Sequence, residues 1–571
     1  MVEAQQLILA AWALVVATLV GLGLLERRLF GPALSSARDL WFTFWMGWAL
    51  LLGGLQVWHL FLPIDNRARI AVVALGALGW LVSGLTPWRA IARALPRNLP
   101  GLVAVLLGTW WLSNRAMAGP TFGDTGLYLV PAVHWVESFR IVPGLANLYV
   151  PLGHNNTYFL YAAFVDAGPF ATRFYHLVNS TLLLALLARG LFGVGNLLRR
   201  DATGRAGDMF YALALVPTLD LIFTLYLASP MPDTAVFVFG LVLAGELLDL
   251  ASCPAPSRAW LLRLTFLAAA GVTVKLSLAA TALMIAVTAA LLWCWRMSAG
   301  VLDAIRVMAL AALVGLVPTG VWLVRSALMS GYPFYPAQLF PLPVDWISRV
   351  DATAWVQKPM AMAPLMTIFS DPVWWRTRLD SLGWFEPDVT RPVAMIAIGL
   401  VVFAVAKPLQ WWRGRAGVAP SVLLVVPLAS FFFSFVNTPM PRYQGATLWI
   451  FAIDLLVLAL ALAGDRDGTD RLRRAAVVAL AVAGAALPFY RSREPWLPLQ
   501  DFEIASLPRV HDETLASGLV VGVPENQVCW WAPLPCSPEI HPGLRLREPG
   551  NLGAGFAIDL PPDAPPPAPG G

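Results

Sequence analysis

Long apolar runs, separated by short polar segments, occupy most of this 571-residue chain. An α-helix needs about 20 apolar residues to cross the hydrocarbon core of a bilayer. The chain is 58% hydrophobic and only 13% charged, whereas soluble domains carry about 25% charged residues. The pattern therefore predicts an all-α polytopic membrane protein rather than a soluble one.

About fourteen of these runs are candidates for transmembrane helices. They lie near 6–25, 41–62, 70–86, 100–113, 172–198, 210–228, 232–252, 260–275, 276–296, 303–322, 391–408, 419–436, 444–463 and 475–489. The first run is too long for a cleavable signal peptide and lacks a cleavage site, so we expect it to be a first span. We divide the chain into extra N-terminal helices over 1–99, a transmembrane core over 100–490 and a small C-terminal segment over 491–571.

Arginines cluster in alternate short loops, which is the pattern that orients membrane proteins with basic loops inside. The clusters are Arg27 and Arg28; Arg89, Arg93 and Arg97; Arg199, Arg200 and Arg205; Arg258; Arg296; Arg413 and Arg415; and Arg466, Arg471, Arg473 and Arg474. They share one side if 157–169 is an interfacial helix that does not cross. The rule then places both termini, the loops 114–171 and 323–390, and the tail outside a bacterial inner membrane. The basic residues are explained by this orientation, so no nucleic-acid partner is expected.

The tail from 491 to 571 is polar and rich in proline, so we expect no span in it. Cys529 and Cys536 lie seven positions apart in this segment. Cysteines on the oxidising side of a membrane pair readily, so a local disulfide is predicted, with two free thiols as the alternative. The Pro/Gly-rich end, 561–571, is expected to be disordered.

Two acidic residues in the outer segments are candidates for acid/base chemistry. Asp124 stands in the stretch Gly123–Tyr128, beside glycines that let a ligand approach the backbone closely. Asp233 ends the turn that begins at Ser229, which two prolines make rigid. Asp124 is the candidate general base, and Asp233 could share its site. The alternative for both residues is an ordinary helix cap.

Three basic residues on the outer side are candidates for phosphate binding. Lys275 lies within an apolar run, where a cation costs a few kcal/mol unless it has a partner. Arg325 and Arg442 are outer arginines, against the general trend, and a guanidinium suits a phosphate or pyrophosphate. The alternatives are a lysine whose amine reaches the membrane surface and arginines at the lipid headgroups.

Tyr128, His134 and His154 belong to the same outer region and are assigned to acceptor binding or support of the site. The histidines lack a recognised metal-ligand spacing, so no protein metal site is predicted. The chain also has no glycine-rich phosphate loop with the right flanks, which argues against a cytosolic nucleotide donor.

A short span, an outer loop that opens with Asp124, an interfacial helix and a long span are expected to follow one another in this chain. This order resembles the GT-C superfamily of polytopic membrane glycosyltransferases. Several pieces are also similar to one group of bacterial multi-spanning membrane proteins. These pieces are Gly123–Trp135, Ile141–Leu148, Ser229–Asp233, Thr273–Ser277, Gly331–Pro336, Cys529–Cys536 and Leu544–Arg547.

The resemblance implies a polyprenyl-phosphate-linked sugar donor and inverting transfer to a glycan, lipid or protein acceptor of the envelope. It implies that Asp124 is the base that takes the acceptor proton. Thr125 follows it where many members have a second acid, so a divalent metal is left open as a cofactor. A lipid-linked saccharide polymerase or ligase is a near variant. Two rival functions are transport or flipping of such saccharides and a non-catalytic role in polysaccharide assembly.

Overall fold

A computed structural model describes most of the chain as α-helix. The described residues are 2–31, 34, 37–94, 98–199, 206–224, 226–350, 352, 372–381, 383, 387–411, 423–437, 441–463, 467–492, 494–498, 502 and 507–559. The first half contains α1 Val2–Phe30, α2 Ala37–Phe61, α3 Asn66–Ser83, α4 Thr86–Ala94, α5 Leu99–Arg115, α6 Val130–Ser138, α7 Leu145–Leu148, α8 Tyr158–Val165, α9 Val178–Leu198, α10 Ala206–Leu213 and α11 Leu215–Ile222. The second half contains α12 Pro232–Ser252, α13 Arg258–Val274, α14 Ala279–Arg296, α15 Val301–Ser330, α16 Pro372–Ser381, α17 Pro387–Trp411, α18 Val425–Asn437, α19 Pro441–Gln444, α20 Thr447–Ala463 and α21 Asp467–Arg491.

Among the described residues, seven helices are long and apolar enough to cross a membrane, or up to eight if the bent pair α3 and α4 is one span. The protein is therefore a multi-pass membrane protein, but this count does not reach the fourteen spans predicted. Two of the predicted spans form helices of 17 residues, α5 and α13, and the run 210–228 forms the eight-residue helices α10 and α11. An apolar run shows the composition of a segment but not where its helix breaks. A count of apolar runs therefore overstates the number of full-length spans.

The start of α1, the loop 114–171 and the described parts of the tail lie at one end of the helix bundle, which we call the site end. Gln5 at the start of α1 donates to the carbonyl oxygen of Trp110 and to Ser113, both at 2.8 Å. Trp111 donates in turn to the carbonyl oxygen of Pro495, just after α21. These contacts join the beginning of α1, the end of α5 and the start of the tail.

The first three helices pack closely through small residues. A Cβ atom added at Gly21 of α1 would overlap the backbone of Gly76 on α3, and one at Gly47 of α2 would overlap that of Leu19 on α1. Such small-residue contacts let transmembrane helices approach backbone to backbone. An ion pair of 2.8 Å between Arg263 of α13 and Glu26 of α1 joins this group to the core.

The segment 157–169 does not form the interfacial helix that its sequence predicts. Its helical part, α8, has all eight side chains buried, and it packs against α2, α6 and α9. A helix that is apolar on every face is buried on every face, whereas an interfacial helix needs a polar face toward water. The apolar sequence of α8 therefore fits the interior of the protein.

The tail adds small β-structure to what was predicted as an all-α chain. β1 Val510–Thr514 pairs antiparallel with β2 Val520–Pro524, and β3 Leu544–Leu546 pairs antiparallel with β4 Phe556–Ile558. The tail end, 561–571, lies outside the described residues.

Candidate functional site

The break between α13 and α14 places a cation at the site end of the bundle. α13 ends at Val274, Lys275 is extended with φ −160° and ψ 135°, and a short 3-10 turn leads into α14. The Lys275 amine forms an ion pair with Oδ1 of Asp233, and the two side chains are 22% and 7% exposed. The apolar run thus divides at a residue that is costly to bury without a partner.

Asp233 lies in the first turn of α12 but is not its cap. The N-cap position is Met231, with Pro232 following it. A carboxylate in the first turn is stabilised by the exposed N–H groups and dipole of the helix. Oδ1 accepts from Lys275, while Oδ2 is buried without a hydrogen-bond partner among the described residues. One carboxylate oxygen is thus held and the second is left for a further partner.

Asp124 precedes a π-helical turn, Thr125–Leu129, and its side chain does not cap it. Within the described ranges we find no hydrogen bond or ion pair to its carboxylate. Burial raises the pKa of this carboxyl above its ordinary 3.8, and the nearby Asp233 raises it too, while Arg442 and Lys275 lower it. Asp124 is thus a partly buried acid whose electrostatic neighbours are one other acid and two cations.

A set of hydrogen bonds that sequence reasoning missed joins the loops bearing the two acids. The hydroxyls of Thr125 and Ser229 are 2.8 Å apart. Asn179 of α9 donates to the carbonyl oxygens of Ser229 and Tyr226 and accepts from Tyr158. The signal in the sequence was an asparagine inside the apolar run 172–198. These bonds fix the turn before Asp233 against the residue that follows Asp124.

His154 lies beside the ion pair and is neutral at physiological pH. Burial and the charge of Lys275 lower its pKa to about 4. Its ring centre is 6.4 Å from that of Tyr128 and 6.0 Å from that of Tyr335. Nε2 is buried without a hydrogen-bond partner among the described residues. His154 can therefore exchange a hydrogen bond with a ligand without adding a charge.

The remaining assigned residues lie around this centre rather than in it. Arg442 is exposed on the short helix α19, near enough to Asp124 to affect its pKa. His134 packs against Trp531 of the tail with ring centres 5.2 Å apart, and burial lowers the pKa of its imidazole.

Arg325 is placed apart from Lys275. Its guanidinium donates to Oδ1 of Asn155 at 3.1 Å and to Nδ1 of His59 at 2.8 Å. The same loop also contacts α13, because the amide N–H of Thr157 donates to the carbonyl oxygen of Thr273. The segment 154–157 therefore lies between the two cations, and the structure does not bring them to one point.

The tail forms part of the wall of the site. Cys529 and Cys536 are disulfide-bonded, with Cα atoms 6.0 Å apart. Between them, the amide N–H of Trp530 donates to the carbonyl oxygen of Gly126 at 3.0 Å, and a Cβ atom at Gly126 would overlap the Trp530 ring. Trp530 has φ 44°, a conformation uncommon for a large side chain. The loop closed by the disulfide thus lies directly against the residues after Asp124.

The described residues contain no group of three or more His, Cys, Asp or Glu side chains placed to hold a metal ion. Asp124 and Asp233 are the carboxylates that a divalent ion at this site would use.

Comparison with known proteins gives one match. A family model described as "Domain of unknown function (DUF8201)" matches residues 6–449. No curated protein and no solved structure matches the chain.

Proposed function

Because that match spans most of the chain, the chain belongs to the Domain of unknown function (DUF8201) family, and we propose that it is a membrane glycosyltransferase. The observation that carries the proposal is the Asp124 carboxylate, which has no hydrogen bond or ion pair within the described ranges and lies near Lys275, Asp233 and Arg442. An unengaged acid beside two cations suits a reaction that moves a proton and creates a phosphate anion.

In the proposed reaction, an acceptor hydroxyl attacks the anomeric carbon of a polyprenyl-phosphate sugar. The new C–O bond forms on the face opposite the departing phosphate, so the configuration inverts. Asp124 takes the hydroxyl proton, and its raised pKa makes it a stronger base than an ordinary aspartate. The electron pair of the broken C–O bond leaves with the polyprenyl phosphate.

The charge of the leaving phosphate is neutralised by Lys275 and Arg442. Lys275 is already held by Asp233, so its amine is oriented before the donor binds. Preorganised charges of this kind need little rearrangement as negative charge develops. Tyr128 and His154 line the acceptor side in this proposal. Asp124 and Asp233 are the residues that would hold a divalent ion, which would supply further positive charge.

The GT-C-like architecture and the position in the membrane belong to the same proposal. The site end carries both the start of α1 and the tail. The opposite end carries basic residues such as Arg474, which donates to the carbonyl oxygens of Leu197 and Arg199. By the positive-inside rule, the site end faces the periplasm of a bacterial inner membrane. The acceptor is then an envelope glycan, lipid or protein.

The test is transfer by the purified protein in lipid nanodiscs, with a panel of radiolabelled polyprenyl-phosphate hexoses and pentoses and an extract of envelope acceptors. We expect transfer by the wild type and at least a 100-fold lower rate for Asp124→Asn. Asp303→Asn, an exposed acid at the start of α15, is the matched control. Equal rates for Asp124→Asn and the wild type would show that Asp124 is not the base.

A further inference from the structure

Arg325 is a buried cation without an anionic partner among the described residues. Its side chain is only 2% exposed, near the end of α15. Two of its donors go to neutral acceptors, Asn155 and His59. His59 accepts through Nδ1, and its Nε2 lies 3.1 Å from the carbonyl oxygen of Phe139, to which it therefore donates. Within the described ranges, no carboxylate lies within ion-pair distance of this guanidinium.

A buried charge without a counter-charge is costly, since hydrogen bonds to neutral groups replace only part of its hydration. Two further buried arginines of this protein are paired with acids. Arg263 pairs with Glu26 and Arg189 pairs with Asp208. Arg325 departs from this pattern, so the missing anion is expected to come from a ligand.

The guanidinium lines a cavity that could admit such a ligand. The cavity itself is small, about 20 Å³, and it opens to the outside, so only the charged end of such a ligand could enter it. Its polar lining is Arg325, His59, Asn155, Asn156, His154 and the exposed Arg140. The remaining wall is apolar and includes Trp135, Leu145, Phe159 and Met329. A charged group at one place and apolar walls around it suit an anion carried on an apolar body.

We propose that the Arg325 cavity is a second anion site, which binds the phosphate group of an amphiphile. The phosphate would accept hydrogen bonds from the guanidinium, and Arg140 would add a second positive charge. The apolar chain would extend out of the mouth of the cavity, because the cavity has no room for it. This proposal does not depend on glycosyl transfer, because neither Asp124 nor Lys275 takes part in it.

The experiment is thermal unfolding of the delipidated protein in detergent, with four probes added separately. The probes are inorganic phosphate, short-chain phosphatidylglycerol, short-chain polyprenyl phosphate and the zwitterionic short-chain phosphatidylcholine. We expect one or both anionic amphiphiles to raise the Tm, with phosphatidylcholine inactive and inorganic phosphate effective only at far higher concentration. The amphiphile that acts shows whether the phosphate comes from a phospholipid or from a polyprenyl carrier. No shift with either one would overturn the proposal.

Matched variants locate the effect. Arg325→Gln should raise the half-saturating concentration at least tenfold, whereas Arg306→Gln, an exposed arginine on the same helix, should leave it unchanged. Leu145→Trp fills the cavity from its apolar wall and should block the shift without touching Arg325, which keeps the test valid if Arg325→Gln fails to fold. Lys275→Ala should retain the shift from phosphatidylglycerol. A shift that survives Leu145→Trp, or is lost in Lys275→Ala, would place the binding elsewhere.

Discussion

The Lys275 amine and the Asp233 carboxylate form an ion pair that joins the break after α13 to the first turn of α12. The two residues are 42 positions apart in the chain. The pair holds the lysine at the site end of the bundle, with Asp124 close enough for both charges to affect its pKa. The ion pair therefore both joins two helices and sets the charges around Asp124.

We predict strong coupling between these two residues in a double-mutant cycle. Lys275→Met and Asp233→Asn should each lower the free energy of unfolding by about 1.5–3 kcal/mol, because each leaves a partly buried partner unsatisfied. The double variant should cost clearly less than the sum of the two. Thermal unfolding followed by tryptophan fluorescence measures the effect. The exposed Asp303–Arg306 pair is the control cycle, with coupling of about 0–0.5 kcal/mol; additive effects at both pairs would contradict the prediction.

The pH profile of transfer should report Asp124. The base is active when it is deprotonated, and burial raises its pKa above the ordinary 3.8. The rate should therefore fall as the pH drops, at a higher pH than an ordinary aspartate would give. Asp124→Asn, which cannot titrate, should show a low rate without this limb. A wild-type limb centred at an ordinary aspartate pKa would argue against a buried base.

The contact of the tail with Gly126 should control access to the site. Gly126→Ala places a methyl group where the Trp530 ring lies, so the tail must shift. We expect transfer to fall at least tenfold in Gly126→Ala and to recover partly in Gly126→Ala with Trp530→Ala, since the smaller side chain relieves the overlap. Protease sensitivity of the tail provides a second readout. Failure of the double variant to recover on both measures would mean that the overlap is not the cause.

The Cys529–Cys536 disulfide tests the orientation of the protein in its membrane. If the tail faces an oxidising compartment, mass mapping of protein collected under thiol-blocking conditions should find this pair bonded. Cys253 and Cys294, which are free in the structure, should carry the blocking group after denaturation. Cys529→Ser with Cys536→Ser should destabilise the tail by about 2–3 kcal/mol, because a short closed loop is released. Complete blocking of all four thiols would place the tail in a reducing compartment.

A second carboxyl pair should make the fold sensitive to alkaline pH. Glu137 of α6 and Asp166 after α8 are buried together, with Arg69 ion-paired to Glu137. Burial and the neighbouring acid raise the pKa of Glu137, and burial raises that of Asp166. The folded state then binds more protons than the unfolded state above the ordinary pKa values of 4.5 and 3.8. Stability present at low pH is therefore lost as the pH rises through the raised values.

The measurement for this pair is the difference in Tm between pH 5 and pH 9. The wild type should lose stability over this interval. For Glu137→Gln, the loss in the free energy of unfolding should be smaller by about 1–3 kcal/mol. Glu513→Gln, an exposed acid on β1, is the control and should behave as the wild type does. Identical pH dependence in all three proteins would show that the pair does not titrate in this range.

Local features of the sequence were enough to predict the class of protein and several breaks. Hydropathy identified a helical multi-pass membrane protein, because a bilayer demands long apolar runs with internally satisfied backbones. The division of 260–296 followed from its length, because the run is too long for one span at about 20 residues per crossing. The apolar run 232–252 coincides with α12, and the rigid turn expected before it follows from the fixed φ of proline. Each of these conclusions needed only neighbouring residues.

Sequence reasoning about a residue's surroundings was less successful. The segment 157–169 was predicted as an interfacial helix, yet α8 is enclosed by other helices. Apolar character alone does not tell whether a side chain faces lipid or protein, since both are apolar environments. The prediction of fourteen spans exceeded the seven or eight long apolar helices among the described residues, because composition does not report where the helices break.

The amino-acid sequence by itself determined a membrane-embedded helical chain with acids and cations in its polar segments. The tertiary structure decided which of these residues meet. It pairs Lys275 with Asp233, sets Arg325 beside His59, 266 positions away, and seats the tail against Gly126. Periodicity and hydropathy act over a few residues, whereas these contacts depend on the packing of distant segments. The fold therefore decides which charged residues are paired and which are left without a partner.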